Sequence, residues 1–399
     1  MQLNSEILNR VKYLTGSAEI AAQLPNINAK KPFSEDIIEF LNDVSKELMK
    51  AGKGYSDVIT LGFWIRKGSV LKLKERFEHE EGIHLGKGVA FHIAPSNVPV
   101  NFAYSLVSGL LTGNANVVRA PSKDFPQVEI ITKSLNKVLD EHEDLRPYVI
   151  CVRYGRDKDI NDLFSSVADM RVVWGGDQTI AELRKSPLPP RAGEITFADR
   201  YSLAVIDSDS YLSVEDKGRV AEDFYNDTFF SDQNACTSPR IIVWTGKKID
   251  EAKKVFWATE HALVEKKYTF QSIQGVNKLT KGYLIAVAEP GVKIEDHQDN
   301  LIVRVSVPRI TDDLMNYRDN SGYFYEYNCQ DIMDLAQLCN DKRCQTIGYI
   351  GSSDVLLPLI QSGIKGIDRV VPIGKTMDFD LIWDGYNLPA LLTRTIVMR

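Results

Sequence analysis

Between Gly88 and Ile350 short apolar runs alternate with segments of helical period, and this alternation restricts the fold more than any other feature of the chain. Gly88-Val89-Ala90-Phe91-His92-Ile93-Ala94 reads as a short strand ending in the turn Pro95-Ser96-Asn97-Val98-Pro99. A small-residue helix over roughly 100–112 follows, then Gly113-Asn114, a strand at 115–118 and the turn Ala120-Pro121-Ser122. A helix over 124–141, a strand at 148–152 and the run Arg171-Val172-Val173-Trp174, which stops at Gly175-Gly176, continue the pattern. Strands alternating with helices in this way predict a parallel sheet of the α/β class.

Pro187, Pro189, Pro190 and Gly193 break the chain before a buried strand at 201–207. A helix at 215–230 leads to a polar turn, and alternation resumes with strands at 241–244, 283–288, 301–306 and 346–350 and helices at 249–265 and 330–340. Residues 1–80 read as mostly helical, with Ser34 as N-cap of a helix carrying apolar residues at 37, 38, 40, 41, 44 and 48. The charged segment 69–85 reads as a strand pair or an extended surface stretch. A length of 399 residues exceeds the size at which one core divides. A boundary near 230 would give units of 1–230 and 231–370, with 371–399 returning to the first.

The net charge of −6, without a basic block, argues against nucleic acid as a partner. No apolar run approaches the ~18 residues of a membrane span. Met1-Gln2-Leu3-Asn4-Ser5-Glu6 lacks the pattern of a secretory signal. Five cysteines, few and odd in number, suit reduced thiols in a cytoplasmic protein better than a disulfide framework. Phosphate-loop, dinucleotide-fingerprint and zinc-protease signatures are absent. Cys339 and Cys344 lack a second pair of metal ligands, so no metal is expected. His92, inside its strand, reads as a satisfied residue of the interior rather than a base.

Cys236 lies in Phe229-Phe230-Ser231-Asp232-Gln233-Asn234-Ala235-Cys236-Thr237-Ser238-Pro239-Arg240, just before the apolar run Ile241-Ile242-Val243-Trp244. Structural cysteines usually sit within apolar runs, whereas this one sits at a turn. An acyl-transfer cysteine needs a thiolate, an oxyanion hole and substrate access. The Cys236 backbone N–H can supply one oxyanion donor. The amide of Asn97, stiffened by flanking prolines, can supply another. From the residues alone, Cys236 is equally an inert half-exposed cysteine, and Asn97 reads first as an ordinary turn asparagine.

Four segments in order sharpen this. Gly88 to Pro99 resembles the strand followed by Asn-x-Pro of the aldehyde dehydrogenase superfamily. Gly113-Asn114 with Val117-Val118-Arg119-Ala120-Pro121-Ser122 resembles its cofactor segment, and Val173-Trp174-Gly175-Gly176-Asp177 its glycine turn. Asn234-Ala235-Cys236-Thr237 resembles the segment around its nucleophile. Ile367 to Lys375 and Trp383-Asp384-Gly385-Tyr386 are similar to a narrower group, the long-chain acyl-CoA reductase family of LuxC type, which supplies fatty aldehyde for bacterial luminescence. The resemblance covers roughly residues 85–399.

It implies an aldehyde dehydrogenase-like fold, with a Rossmann-type nicotinamide cofactor domain and an α/β catalytic domain. It makes Cys236 the acyl-accepting nucleophile and Asn97 the oxyanion-hole amide. Ser96, Arg119, Pro121, Ser122, Lys123, Gly175 and Gly176 would bind the cofactor. The implied reaction is reduction of a fatty acyl thioester, from acyl-CoA or an acylated carrier, to the aldehyde. An acyl-protein synthetase partner and a homo-oligomer are further expectations of the resemblance. Two departures bear on it. Hydrolytic relatives carry a glutamate base where this chain has Thr196, which favours reduction over hydrolysis, although Glu194 stands two residues away. Lys123 occupies the position of a glutamate that holds the ribose of NAD; with Arg119 it favours NADPH, with NADH as the alternative. The rival readings are a CoA-acylating aldehyde dehydrogenase using NAD and a short substrate, and a non-catalytic scaffold.

Overall fold

The computed structural model describes residues 3–77, 82–296 and 299–399. The chain packs as two compact units, Met1–Ala198 with Phe379–Arg399, and Asp199–Asp378.

The strands of the first unit are β1 (Lys12–Thr15), β2 (Ile83–Gly86), β3 (Val89–Ile93), β4 (Ala115–Arg119), β5 (Val149–Arg153), β6 (Met170–Trp174) and β7 (Gly193–Phe197). Six of them form one sheet in the order β1-β5-β4-β3-β6-β7. All neighbours pair in parallel except β1, which runs antiparallel to β5. Every residue of β3 and β6 is buried, as expected for strands covered on both faces. The helices after β3 and β4 (Asn101–Leu111 and Pro126–Leu139) pack with helix Glu35–Ala51 on one face. The helices after β5 and β6 (Lys158–Val167 and Asp177–Leu183) pack on the other. Adjacent strands β3 and β6 therefore send their connections to opposite faces, which opens a crevice at their carboxyl ends.

The second unit holds β8 (Tyr201–Asp207), β9 (Pro239–Thr245), β10 (Lys293–Ile294), β11 (Val303–Ser306), β12 (Tyr323–Asn328), β13 (Cys344–Ile350) and β14 (Arg369–Pro372). They form a sheet in the order β10-β11-β12-β9-β8-β13-β14, antiparallel only at β10. The chain then returns to the first unit through the small pair β15 (Ile382–Trp383) and β16 (Tyr386–Asn387), and β17 (Thr393–Ile396) pairs antiparallel with β2. Among the described residues no helix is long and apolar enough to cross a membrane.

The α/β class and the parallel pairing agree with the sequence, and four expectations change. The division falls at 198 rather than 230, because β8 pairs with β9 and β13 and so belongs to the second sheet. The return falls at 379 rather than 371. The run 283–288 is the last turn and a half of helix Ser272–Ala288, not a strand; a short apolar run has the same composition in either form. The 69–85 segment holds most of helix Lys67–Phe77 and of strand β2 rather than a strand pair, and its residues 78–81 lie outside the described residues.

A directional hydrogen-bond chain ties the middle of the first sheet to its helix. Trp174 Nε1 donates to Ser105 Oγ at 3.1 Å, and Ser105 Oγ lies 2.7 Å from His92 Nδ1. His92 Nε2 lies 3.1 Å from Asn116 Oδ1, whose own amide nitrogen donates to Asn114 O and Tyr148 O. Burial favours the neutral form of His92, and with its proton on Nε2 the chain runs in one direction, Ser105 Oγ donating to Nδ1 and Nε2 donating to Asn116 Oδ1. Burial pushes the His92 pKa down to about 4. The unfolded chain, at the ordinary value near 6.5, therefore binds more protons between those two pH values, and stability falls as pH drops through that window. The expected loss from pH 6.5 to 4 is on the order of 3 kcal/mol. Chemical denaturation across that range should show it as a difference: the stability of wild type minus that of a His92→Gln variant should fall by about that amount as pH drops. Asp227, whose pKa burial raises to about 7, gives the opposite slope but is common to both proteins, so their difference isolates His92.

Candidate active site

Three of the expected cofactor segments converge at the carboxyl edge of the first sheet. The Ser96–Asn97 loop follows β3, the Pro121–Lys123 loop follows β4, and Gly175-Gly176 follows β6. Ile93 is in register with Arg119 on one side and Val173 on the other, so the three loops leave adjacent strands at the same level. Two of them flank the crevice between β3 and β6. Ser96 and Asn97 are exposed, as are Ser122 and Lys123, while Pro121 is buried.

The individual residues differ in their freedom. The Arg119 guanidinium donates to Tyr154 O at 3.2 Å and Gly155 O at 3.0 Å and stacks on the Tyr154 ring, so much of its capacity is spent on the loop after β5. Lys123 has no such engagement among the described residues. At Gly176 a Cβ would meet nothing within 4 Å, which leaves the backbone open to approach. At Gly175 a Cβ would stand 3.2 Å from the Thr179 side chain, so packing alone already requires a small residue there.

Cys236 lies in the second unit, in the turn that feeds the amino end of β9. It is half-buried, while Cys151, Cys329, Cys339 and Cys344 are all buried. The turn is strained at two consecutive non-glycine residues, Asp232 (φ 54°) and Gln233 (φ 52°). Each such residue costs of order 1–3 kcal/mol and persists only when its surroundings fix it. The Gln233 side chain, fully buried, supplies that fixing. Its Nε2 donates to Pro239 O at 3.1 Å and Tyr323 O at 3.3 Å. Its Oε1 accepts from Gly322 N at 2.8 Å and Tyr323 N at 3.1 Å. The Asp232 carboxylate accepts from the Tyr268 hydroxyl and from Gln274 Nε2.

The cysteine itself is gripped from both sides. Ser202 Oγ, on β8, donates to Cys236 O at 2.8 Å. The next residue, Thr237, is buried with its hydroxyl 3.2 Å from the Met377 sulfur. Met377 follows a turn held by Asp227, whose carboxylate accepts from Gly374 N at 2.6 Å and Thr376 N at 3.1 Å. The Ile367–Lys375 segment singled out in the sequence thus ends in a turn that leads to the cysteine's neighbour.

Thr196 lies half-buried on β7, and Glu194 shares its face two residues earlier. Glu194 is committed elsewhere. It receives Arg171 Nε at 2.8 Å through one oxygen and Arg184 Nε at 2.7 Å through the other, with Arg171 almost wholly buried. Both of its oxygens are therefore engaged by guanidinium groups. Gln233, Asp227 and Arg240 were not singled out by sequence reasoning. A signal existed for Arg240 alone, a charge at the start of an otherwise apolar run.

A family model described as acyl-CoA reductase (LuxC) matches residues 68–270, just over half of the chain. The long-chain acyl-protein thioester reductase of Aliivibrio fischeri is 25% identical over 298 residues, covering 73% of this chain and 60% of that protein. The chain thus spans about 60% of the length of such relatives. Among solved structures, a lactaldehyde dehydrogenase covers 95% of this chain and 89% of its own, with a TM-score of 0.67 at 12% identity. An NAD-dependent benzaldehyde dehydrogenase from Corynebacterium glutamicum covers 94% and 86%, with a TM-score of 0.61 at 14% identity. The fold is that of the aldehyde dehydrogenases, and the chain belongs to the acyl-CoA reductase (LuxC) family.

Proposed function

We propose that this chain reduces a fatty acyl thioester to the aldehyde through an acyl-enzyme on Cys236. The observation that carries the reading is the cysteine turn: one half-exposed thiol, in a strained backbone fixed by a buried amide, in a chain of this family. In this reading the Cys236 thiolate attacks the thioester carbonyl, and the oxyanion is met by the Cys236 N–H and the Asn97 amide. Collapse forms the Cys236 thioester and expels the carrier thiol. A nicotinamide cofactor, when bound, supplies the hydride for the acyl carbon. The resulting thiohemiacetal on Cys236 releases aldehyde and restores the sulfur. Thr196 and the engaged Glu194 leave no carboxylate base at that position to activate water, so the acyl group is kept for reduction.

The residues proposed to hold the cofactor are Ser96, Pro121, Ser122, Lys123, Gly175 and Gly176, with Arg119 in a supporting place. The crevice between β3 and β6 is where α/β sheets of this topology take dinucleotides. The exposed Lys123 ammonium suits a 2′-phosphate and supports NADPH over NADH. The acyl donor is proposed to be acyl-CoA or a protein-bound acyl group, the latter supported by the names of the relatives.

Three results are expected. Mixing protein with long-chain acyl-CoA and NADPH should consume reduced nicotinamide and yield aldehyde, with an acyl mass adduct on wild type and none on Cys236→Ala. Retained turnover in Cys236→Ala, or a preference for short-chain acyl-CoA and NAD, would overturn the reading. Asn97→Ala should lower kcat by ~10²–10³ while the acyl-CoA KM changes little, as for loss of one oxyanion donor. Lys123→Glu should lower kcat/KM for NADPH by about tenfold, the worth of one charge-assisted hydrogen bond, and leave NADH use near its original level.

A further inference from the structure

Arg240 stands four residues after Cys236, at the start of β9, and is 7% exposed. Its guanidinium reaches back under the cysteine turn. Nη2 donates to Gln233 O at 2.7 Å, and Nη1 donates to Asp319 O and Asn320 Oδ1, each at 2.7 Å. All three acceptors are neutral, and the buried Nε–H has no partner among the described residues. The described residues place no carboxylate in an ion pair with it.

A buried cation without a counter-ion is expensive. Neutral groups take its hydrogen bonds, and the two carboxylates that act on it, Asp199 and Asp319, are shared with Arg318 and the Asn320 N–H, so a further anion nearby is still favoured. Burial lowers the Arg240 pKa to about 10, and Arg318 pushes the same way; Asp199, the Cys236 thiolate and Asp319 push it back up. The influence is mutual: a thiolate that stabilises the guanidinium is stabilised by it. The other charges around the turn are engaged with one another, with neutral side chains or with the backbone. Arg318 pairs with Asp199, and Asp319 Oδ1 accepts from Asn320 N. Asp232 is held by Tyr268 and Gln274, and the buried Lys278 ammonium donates to Leu301 O and Ser321 O.

We propose that Arg240 is the positioning residue that holds Cys236 as a thiolate, supplying from inside the fold the positive charge that thiol activation elsewhere takes from a histidine. The catalytic purpose of this charge rests on Cys236 being the nucleophile, as proposed above; its effect on the thiol does not. It assigns Arg240 two effects through one guanidinium: it fixes the turn through Gln233 O, and it lowers the thiol pKa through its charge.

The test is the pH dependence of Cys236 alkylation by iodoacetamide, read peptide by peptide by mass spectrometry so that the four buried cysteines do not contribute. Wild type should titrate clearly below the ~8.5 of a free thiol. Arg240→Met should raise that value by ~1 unit or more, and Arg240→Lys, which keeps the charge without the fork, should recover most of the shift. Asn320→Ala, which removes one neutral contact, should lower the thermal midpoint and leave the titration in place. A wild-type value at or above that of a free thiol overturns the proposal, and so does an Arg240→Met protein that reacts more slowly at every pH with an unmoved midpoint. If Arg240→Met does not fold, the wild-type and Arg240→Lys titrations still decide. The readout needs no acyl substrate. A low thiol pKa in a protein whose Cys236→Ala variant still reduces acyl-CoA would sink the proposed function while leaving the Arg240 assignment standing.

Discussion

Four hydrogen bonds to the buried Gln233 amide are the constraint on which the candidate active site depends. They join a strained turn to the amino ends of β9 and β12, so the backbone before Cys236 cannot relax without breaking the start of two neighbouring strands. Strain of this kind survives only where the fold over-determines it. Here the over-determination comes from the sheet itself. The result is a cysteine whose backbone is fixed, with Ser202 on its carbonyl and buried Thr237 behind it.

The first unit works by a different rule. Among the described residues, no non-glycine residue of the loops after β3, β4 and β6 has a positive φ. The crevice there follows from connectivity: β3 and β6 are neighbours whose helices go to opposite faces, so no helix fills the gap between the loops that follow them. The neutral His92 chain keeps those strands and helix Asn101–Leu111 in register beneath the loops. Rigid elements below and short loops above are the arrangement that lets loops carry function.

The acidic residues show why type and spacing are weak guides to chemistry. Glu194 sits where a base could be imagined, yet its two oxygens are taken by Arg171 and Arg184. Asp227, unremarkable in the sequence, receives two backbone N–H groups from a turn almost one hundred and fifty residues away and carries a pKa raised by burial. The difference lies in what surrounds each carboxylate, and the surroundings are assembled from distant parts of the chain.

The sequence by itself determined the parallel α/β class, the positions of β3, β4, β6 and β9, and the candidate loops, because apolar period and turn residues are local properties. It marked Cys236 as a cysteine out of its usual setting, and through the family resemblance it put Thr196 where hydrolytic relatives carry a glutamate. It misread 283–288, where an apolar run is equally at home in a helix, and it placed the unit boundary at 230, because sheet partnership cannot be read from a strand alone. Only the tertiary structure decided that Glu194 is occupied, that Arg119 leans on Tyr154, and that Gln233 and Arg240 brace the cysteine turn. Those facts are hydrogen bonds and buried charges between residues far apart in the chain, and no pattern of neighbours encodes them.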